Sequence, residues 1–330
     1  MTDRVQRVVI DGVLSNPIVV SSGVVQGSVL GPLIFILFIN DIVDCFEQDG
    51  TSHTLGSIFA DDLKLYCDYN LLHENSSLVI TLNNIESWSS KWQLRINPDK
   101  SSVMQVGKAL HDRHQYVICG KIIEPSNIVR DLGILYNSKL CFNDYIEDIV
   151  TKAFQRVNLL FRSFISGNIS ILSKAYITYV RPLLEYCTYI WSPFQIYLIE
   201  RIERVQRYFS RRVLCRSRLA YHDRLRVLNL ETLELRRIKF DLKLCYKIIN
   251  GLCAIDCDKF FTFAPILNTR GHNLKLTSTH CSNNWLFNFY SNRVVNYWNS
   301  LPADVVHAKS FKSFAAKLNS IDLGRFCKMS

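Results

Sequence analysis

The hydrophobic pattern of this chain changes period near residue 143. Upstream, apolar residues come in short runs cut by turn residues; downstream they recur at helical spacing over long stretches. A strand-and-turn half followed by a helical half predicts an α+β architecture rather than alternating strand–helix units. Residues 4–10 alternate as a strand, Asp11-Gly12 is a hairpin-turn dipeptide, and residues 18–21 read as the return strand. Gly31-Pro32 opens the apolar run LIFILFINDIVDCF, which predicts a buried helix with proline in its first turn. SIFADDLKLY, residues 57–66, has apolar arms around two acids and reads as a second hairpin. Leu78, Leu82, Ile85, Trp88 and Trp92 keep helical spacing. Short strands are expected over 94–97 and 103–106, and around 116–123 and 132–136.

The helical half predicts helices over 144–164, 171–189 and 195–215, separated by Gly167-Asn168 and Ser192-Pro193, and a further one over 224–250. With 330 residues and 48% hydrophobic content the chain can bury a sizeable core, which excludes a disordered or low-complexity protein. No run reaches the ~18–20 uncharged apolar residues of a membrane span. The first twelve residues carry no signal-peptide pattern, and the eleven cysteines include no CxxC pair. They read as reduced, mostly buried thiols of a soluble intracellular protein, with no membrane partner. Charge is uneven: residues 1–150 hold 11 Lys+Arg against 18 Asp+Glu, and residues 151–330 hold 28 against 11. An acidic half that can hold cations joined to a basic half that attracts polyanions is one reading; a merely soluble basic surface is the other.

The chemistry-bearing feature is Phe59-Ala60-Asp61-Asp62. Adjacent carboxylates at a strand turn offer hard oxygen ligands to a cation such as Mg²⁺, although a DD dipeptide alone equally suits an exposed turn. Its neighbours narrow the choice. Upstream stands SGVVQGSVLGP, residues 22–32, and then Ile39-Asn40-Asp41; downstream stand LRINPDKS, residues 94–101, and VRDLG, residues 129–133. In this order and spacing the chain resembles the reverse transcriptases of animal non-LTR retrotransposons, the jockey-like and related elements, through most of its length. The resemblance implies an RNA-directed DNA polymerase that extends a DNA primer on an RNA template with dNTPs and Mg²⁺, resident in the nucleus or cytoplasm. It makes Asp61 the metal-binding catalytic acid and Asp62 its supporting neighbour. Gln26, Gly27 and Ser28 would place template and incoming nucleotide, and Lys100 would be a general acid for pyrophosphate, against a plain reading as a solvated turn lysine. Leu132-Gly133 falls where the family has its primer-gripping hairpin.

Two departures qualify this expectation. Only 22 residues precede Gly23, and they are similar only to the hairpin directly before the glycine-rich block. The fingers and the first catalytic acid are therefore expected to be missing, unless a second chain supplies them; Asp11 reads as a turn residue and no substitute. Without that acid, two-metal chemistry is expected to fail, leaving as the alternative a non-catalytic nucleic-acid-binding remnant. Val25 stands where the family commonly has proline. In the basic half, Arg201, Arg204, Arg207 and Arg211 share one helix face, suited to tracking phosphates or simply to solvation. Cys253, Cys257, His272, His280 and Cys281 lack zinc-knuckle spacing and read as core cysteines and surface histidines, and Trp298 reads as a packing residue more than a base-stacking one. The expected organisation is a partial reverse-transcriptase palm of antiparallel strands with packed helices over 1–142, a helical thumb-like region over 143–220 and a basic C-terminal region over 221–330. Exposed apolar surface is expected on the palm part.

Overall fold

Alternation at the start of the chain becomes two nested ribbons. Strand β1 (Arg4–Gln6) pairs antiparallel with β4 (Ile18–Val20), and between them β2 (Val9–Ile10) pairs with β3 (Val13–Leu14). The inner ribbon turns on Asp11 and Gly12, at φ 51° and 80°, the paired positive values that suit the right-handed twist of a tight hairpin. Asp11 is thus a turn residue. The computed structural model describes residues 4–25, 27–46, 54–67, 76–107, 115–164, 167–214, 218–265, 271–278 and 284–329. The chain divides into two units, residues 1–127 and 128–330.

In the first unit, helix α1 (Gly31–Ile39) carries Pro32 in its opening turn and runs on as a 3₁₀ turn to Cys45. It has no polar face, yet it is only half covered: Ile39 is buried, while Leu33, Ile36 and Leu37 are 54–70% exposed. The expectation of a buried helix is corrected to that extent, and valines and isoleucines of β1–β4 are exposed as well. Hairpin β5 (Thr54–Phe59) and β6 (Asp62–Cys67) pairs in register. Helix α2 (Ser76–Trp92) packs on it and on α1 through Ile39, Ile42, Ile85 and Trp88. The Trp88 Nε1–H donates to Asp41 Oδ1 at 2.8 Å, so the acid that ends the apolar run is spent on structure. Hairpin β7 (Tyr116–Ile118) and β8 (Lys121–Ile123) covers a smaller cluster around Leu82. Residues 94–97 and 103–106 form no ladder; Val103 alone bridges Pro125. Leu94 and Ile96 still pack into the core, so their alternation records burial rather than pairing.

The second unit starts with hairpin β9 (Ile128–Asp131) and β10 (Ile134–Asn137), turning on Leu132 and Gly133 at φ 44° and 87°. Helix α3 (Asn143–Ser163) buries Ile146, Val150, Ala153 and Val157 on one face. The long helix expected over 171–189 is instead broken: α4 (Ile169–Ala175) passes into a π turn (Tyr176–Val180) and a 3₁₀ turn (Arg181–Leu184), and the chain reverses at Cys187, φ 50°, before the short α5 (Thr188–Trp191). Pro182 explains the break, because it has no N–H to donate and its ring crowds the preceding turn. Helix α6 (Ile196–Val213) packs against α3. The helix expected over 224–250 is two: α7 (Tyr221–Leu228) ends on left-handed Asn229, and α8 (Leu233–Ile249) starts on Thr232, whose hydroxyl accepts from Leu235 N–H at 3.2 Å.

Glu203 of α6 is almost fully buried and joins these helices. Its two oxygens accept from the Leu233 N–H at 3.1 and 3.0 Å, and the Tyr221 hydroxyl donates to it as well. Beside it the Gln206 amide donates to the Glu231 carbonyl at 2.9 Å and accepts from the Tyr176 hydroxyl at 3.2 Å. Burial pushes the Glu203 carboxyl above its ordinary range against the pull of these donors. Arg237, also buried, balances the charge of Glu203, Glu234 and Asp241.

The C-terminal stretch wraps a second core around α8. After the one-turn helices α9 (Cys257–Phe260) and α10 (Asn284–Asn288) come α11 (Tyr290–Asn299), α12 (Ala303–Val306) and α13 (Phe311–Leu318), which bury Val294, Trp298, Val305 and Phe314 against Leu242 and Tyr246. Arg293 clamps Asp241 bidentately at 2.8 and 2.9 Å, a buried pair that keeps α11 in register with α8. Trp298 is fully buried with its Nε1–H on the Leu274 carbonyl at 2.7 Å, so it packs and presents no face to a base. The cysteines are free among the described residues, but only Cys245 is fully buried; the others described are half-buried or exposed.

His272 is not the surface histidine expected: it is 4% exposed, edge-on to Trp298, with Nε2 3.2 Å from the Trp298 carbonyl. Burial lowers its affinity for a proton. The unfolded chain binds that proton below about pH 6.5 while the folded one resists it. The stability contributed by neutral His272 is therefore complete above pH 6.5 and lost as pH falls below it. Thermal melts from pH 7.5 to 5.5 should show a smaller fall for His272→Gln than for the unaltered chain; equal falls would refute this assignment.

Candidate active site

The FADD hairpin is built from alternation. Thr54, Gly56 and Ile58 of β5, with Leu63, Leu65 and Cys67 of β6, face the core, whereas Phe59, Lys64 and Tyr66 face out. Phe59 pairs with Asp62, which leaves Ala60 and Asp61 as a two-residue tip. Ala60 holds φ 53°, a left-handed conformation that costs a residue with a Cβ about 1 kcal/mol or more. The strain is borne at the point where Asp61 and Asp62 are delivered to solvent, both exposed. Close packing below the tip fixes the hairpin: the Phe46 ring lies over Gly56, where a Cβ would come within 2.4 Å of it.

Two neighbouring carboxylates and open water suit a hydrated Mg²⁺, which takes one or two protein oxygens and completes its shell with water and phosphate. They do not make a closed cage, and no group of three metal-ligating side chains gathers among the described residues. The donor set thus fits an ion brought with a phosphate-bearing ligand.

Gln26 lies outside the described residues. Gly23 and Gly27 adopt φ 80° and 77°, which only glycine holds without strain, and the Gly23 carbonyl accepts from the Arg4 guanidinium at 2.6 Å. Ser28 caps the start of α1: its Oγ accepts from the Gly31 N–H at 3.0 Å. Its oxygen is therefore engaged in shaping the loop. Lys100 ends a 3₁₀ turn (Pro98–Lys100) fixed by the Asn97 carboxamide, which accepts from the Asp99 N–H at 3.0 Å. Asp99 pairs with Lys121, and Lys100 itself is exposed. The three segments meet through apolar anchors rather than polar contacts: Phe35 of α1, Ile58 and Leu63 of the hairpin, and Leu94 and Ile96 before Lys100 belong to one cluster.

The arginine face of α6 is divided. Arg201 is held by Glu147 at 2.8–3.0 Å and Arg207 lies 5.1 Å from the Tyr221 ring centre, while Arg204 and Arg211 are exposed. The residues that helical spacing on α6 did not single out are on α3 and β9: Asp148 receives Lys152 at 2.8 Å and Arg130 at 3.3 Å beside a cavity of about 390 Å³. The i, i+4 pair Lys152 and Arg156 was the available signal. His280 and Cys281 lie outside the described residues.

Residues 4–134 match the sequence family described as reverse transcriptase (RNA-dependent DNA polymerase). An uncharacterized protein of Caenorhabditis elegans is 35% identical over 128 residues, which is 38% of this chain and 65% of that protein. The probable RNA-directed DNA polymerase from transposon BS of Drosophila melanogaster is 26% identical over 201 residues, 58% of this chain and 22% of that protein. The RNA-directed DNA polymerase from mobile element jockey of the same fly is 27% identical over 156 residues, 45% of this chain and 17% of that protein. The matches thus span about two thirds of the worm relative and about a fifth of the fly polymerases. No solved structure matches.

Gly56→Ala should loosen the FADD hairpin, since the buried Phe46 ring must shift to admit a methyl group, a cost of about 1–3 kcal/mol. Hydrogen exchange at the β5 and β6 amides is expected to quicken about tenfold or more. Unchanged exchange would show that the ring does not brace the strand.

Proposed function

We propose that this relative of the jockey-like reverse transcriptases carries the catalytic hairpin of an RNA-directed DNA polymerase. The observation that carries the reading is the tight β5–β6 hairpin, inside the matched region, that presents Asp61 and Asp62 above the same apolar cluster that anchors α1 and the segment before Lys100. Asp61, with Asp62 beside it, would hold Mg²⁺. When bound, the ion neutralises phosphate charge and activates the attacking primer oxygen.

The chain's own residues do the positioning. Gly27 leaves the backbone open for close approach of a base or sugar, and Ser28 holds that loop against the head of α1. Gln26 offers a donor and an acceptor to the template–nucleotide pair. Lys100, exposed on its turn, donates a proton to the departing pyrophosphate. The ligands of this reaction are an RNA template, a DNA primer and dNTPs.

The candidate metal position has two carboxylates where clamping two ions needs further anchoring oxygens. On the carboxylates gathered among the described residues, catalysis by this chain alone is expected to be absent or feeble, and a second chain that brings another acid would restore it. A non-catalytic nucleic-acid-binding role is the second reading, favoured by the excess of 28 Lys+Arg over 11 Asp+Glu in residues 151–330.

Primer extension on an RNA template separates these readings, run with Mg²⁺ and dNTPs and with Asp61→Asn alongside. The expected result is little or no extension, with template–primer binding that persists in EDTA and weakens steeply with salt. Robust extension lost in Asp61→Asn would keep the polymerase reading and overturn the incomplete site. Absence of both extension and binding would overturn the assignment to nucleic acid.

A further inference from the structure

The second unit contains a groove that the arginine spacing does not predict. Its floor is apolar, made by Ile149 of α3 with Pro182 and Leu183 of the irregular turns after α4. Arg130, Lys152 and Arg156 line it together with Tyr179 and Tyr186, which are 54% and 50% exposed. The cavity measures about 390 Å³ and continues along α3, past Arg156 and the 56%-exposed Leu159, into a second of about 390 Å³. Each is within the range of small-ligand sites.

Irregular backbone builds this groove. The π turn at Tyr176–Val180 contributes Thr178 and Tyr179, the 3₁₀ turn contributes Pro182 and Leu183, and Tyr186 precedes the left-handed Cys187. Two bonds fix Tyr186: its hydroxyl donates to the Leu132 carbonyl at 3.1 Å, and its carbonyl accepts from Trp191 Nε1–H at 2.7 Å. A ring anchored through its hydroxyl, on a backbone held by Trp191, yet half in solvent is a platform that has given up much of its freedom before any ligand arrives. Positive charge is concentrated in the same groove. Asp148 holds Arg130 and Lys152 in place, whereas Arg156 is exposed and enters no ion pair among the described residues. Three cations against one carboxylate leave the groove net positive.

We propose that this groove binds single-stranded nucleic acid, with unpaired bases on Tyr179 and Tyr186 and the phosphodiester backbone on Lys152 and Arg156. Exposed aromatic rings and basic side chains lining one groove are what a strand without a partner requires, because its bases are free to stack and its phosphates follow alongside. A duplex hides its base faces and would use only the cations. Lys152 and Arg156 stand about 6 Å apart along the helix, a step comparable to that between successive phosphates of an extended strand. The inference rests on the reading above only in taking nucleic acid as the ligand class; it requires neither metal nor catalysis.

The test is fluorescence anisotropy of the full chain with 12-nucleotide oligo-U and oligo-dT, in EDTA and without dNTPs, so that an inactive polymerase site leaves it untouched. Tyr179→Ala should weaken binding about fivefold or more, and Tyr179→Phe should restore it, since stacking needs the ring and not the hydroxyl. Lys152→Gln with Arg156→Gln should flatten the log–log salt slope by about 1.4, two single-strand phosphate contacts. Asp148→Asn should tighten binding. These side chains are exposed or half-exposed, and thermal melts verify that each variant folds. A blunt-ended duplex of the same length should show no Tyr179 effect. The oligo-U and oligo-dT arms report whether RNA or DNA is preferred; either preference satisfies the proposal. It is overturned if the Tyr179 and Lys152/Arg156 variants bind both oligonucleotides as the unaltered chain does. It is equally overturned if poly-glutamate binds with the same Lys152/Arg156 dependence while the oligonucleotides ignore Tyr179, which would make the groove a site for acidic peptide.

Discussion

A carboxylate with almost no water, Glu203, sets the arrangement of the second unit. A buried charge is tolerated only when donors surround it, and here they come from two other places in the chain: the Tyr221 hydroxyl and the first amide of α8. Helix α6 therefore cannot shift relative to α7 and α8 without stranding a charge. Gln206, one turn further on, adds the Glu231 carbonyl and the Tyr176 hydroxyl to the same network. Hydrophobic packing alone would hold these helices together in several registers; the polar network selects one. The scaffold that aligns the segment after α4 with α3 descends from that choice.

The first unit solves a different problem. Its hairpin must place two like charges side by side at a tip, where they repel each other and gain nothing from burial. The structure meets this by leaving the acids in water and putting the binding energy beneath them, in the in-register strands and the Phe46–Gly56 contact. Asp61 and Asp62 are held by their backbone rather than by their side chains. Their oxygens remain available, which is what an ion arriving with a phosphate needs. Helix α1, apolar on all sides, is the counterpart: it spends one face on the core and leaves the other exposed.

Much of this was legible in the sequence where local chemistry decides the outcome. The Asp11-Gly12 turn, the FADD hairpin and the long apolar stripe of α3 follow from turn residues and period alone. Other features depend on partners distant in the chain. Nothing local to Leu94 and Ile96 says that they lack a neighbouring strand. His272 became a core residue because Trp298 closes over it, 26 positions away. The arginines of α6 looked equivalent by spacing, and only Glu147 and Tyr221 tell Arg201 and Arg207 from Arg204 and Arg211. The helix expected over 171–189 ran through Pro182, and the form of the break, a widened turn before it and a left-handed residue at Cys187, lies where the chain packs against α3.

That widened turn has a consequence for how the sequence can vary. A π turn carries one residue more than the α-helix it interrupts. Removing a single residue from 176–180 would let the hydrogen bonds close in the ordinary pattern, and the phase of the chain beyond would change little, because the wide turn takes up the extra residue within one revolution. Tyr186 would keep its bond to the Leu132 carbonyl, and the hairpin at 128–137 its tether. This stretch can thus absorb a change of length by one, which an ordinary helical turn, shifting by about 100° per residue, cannot.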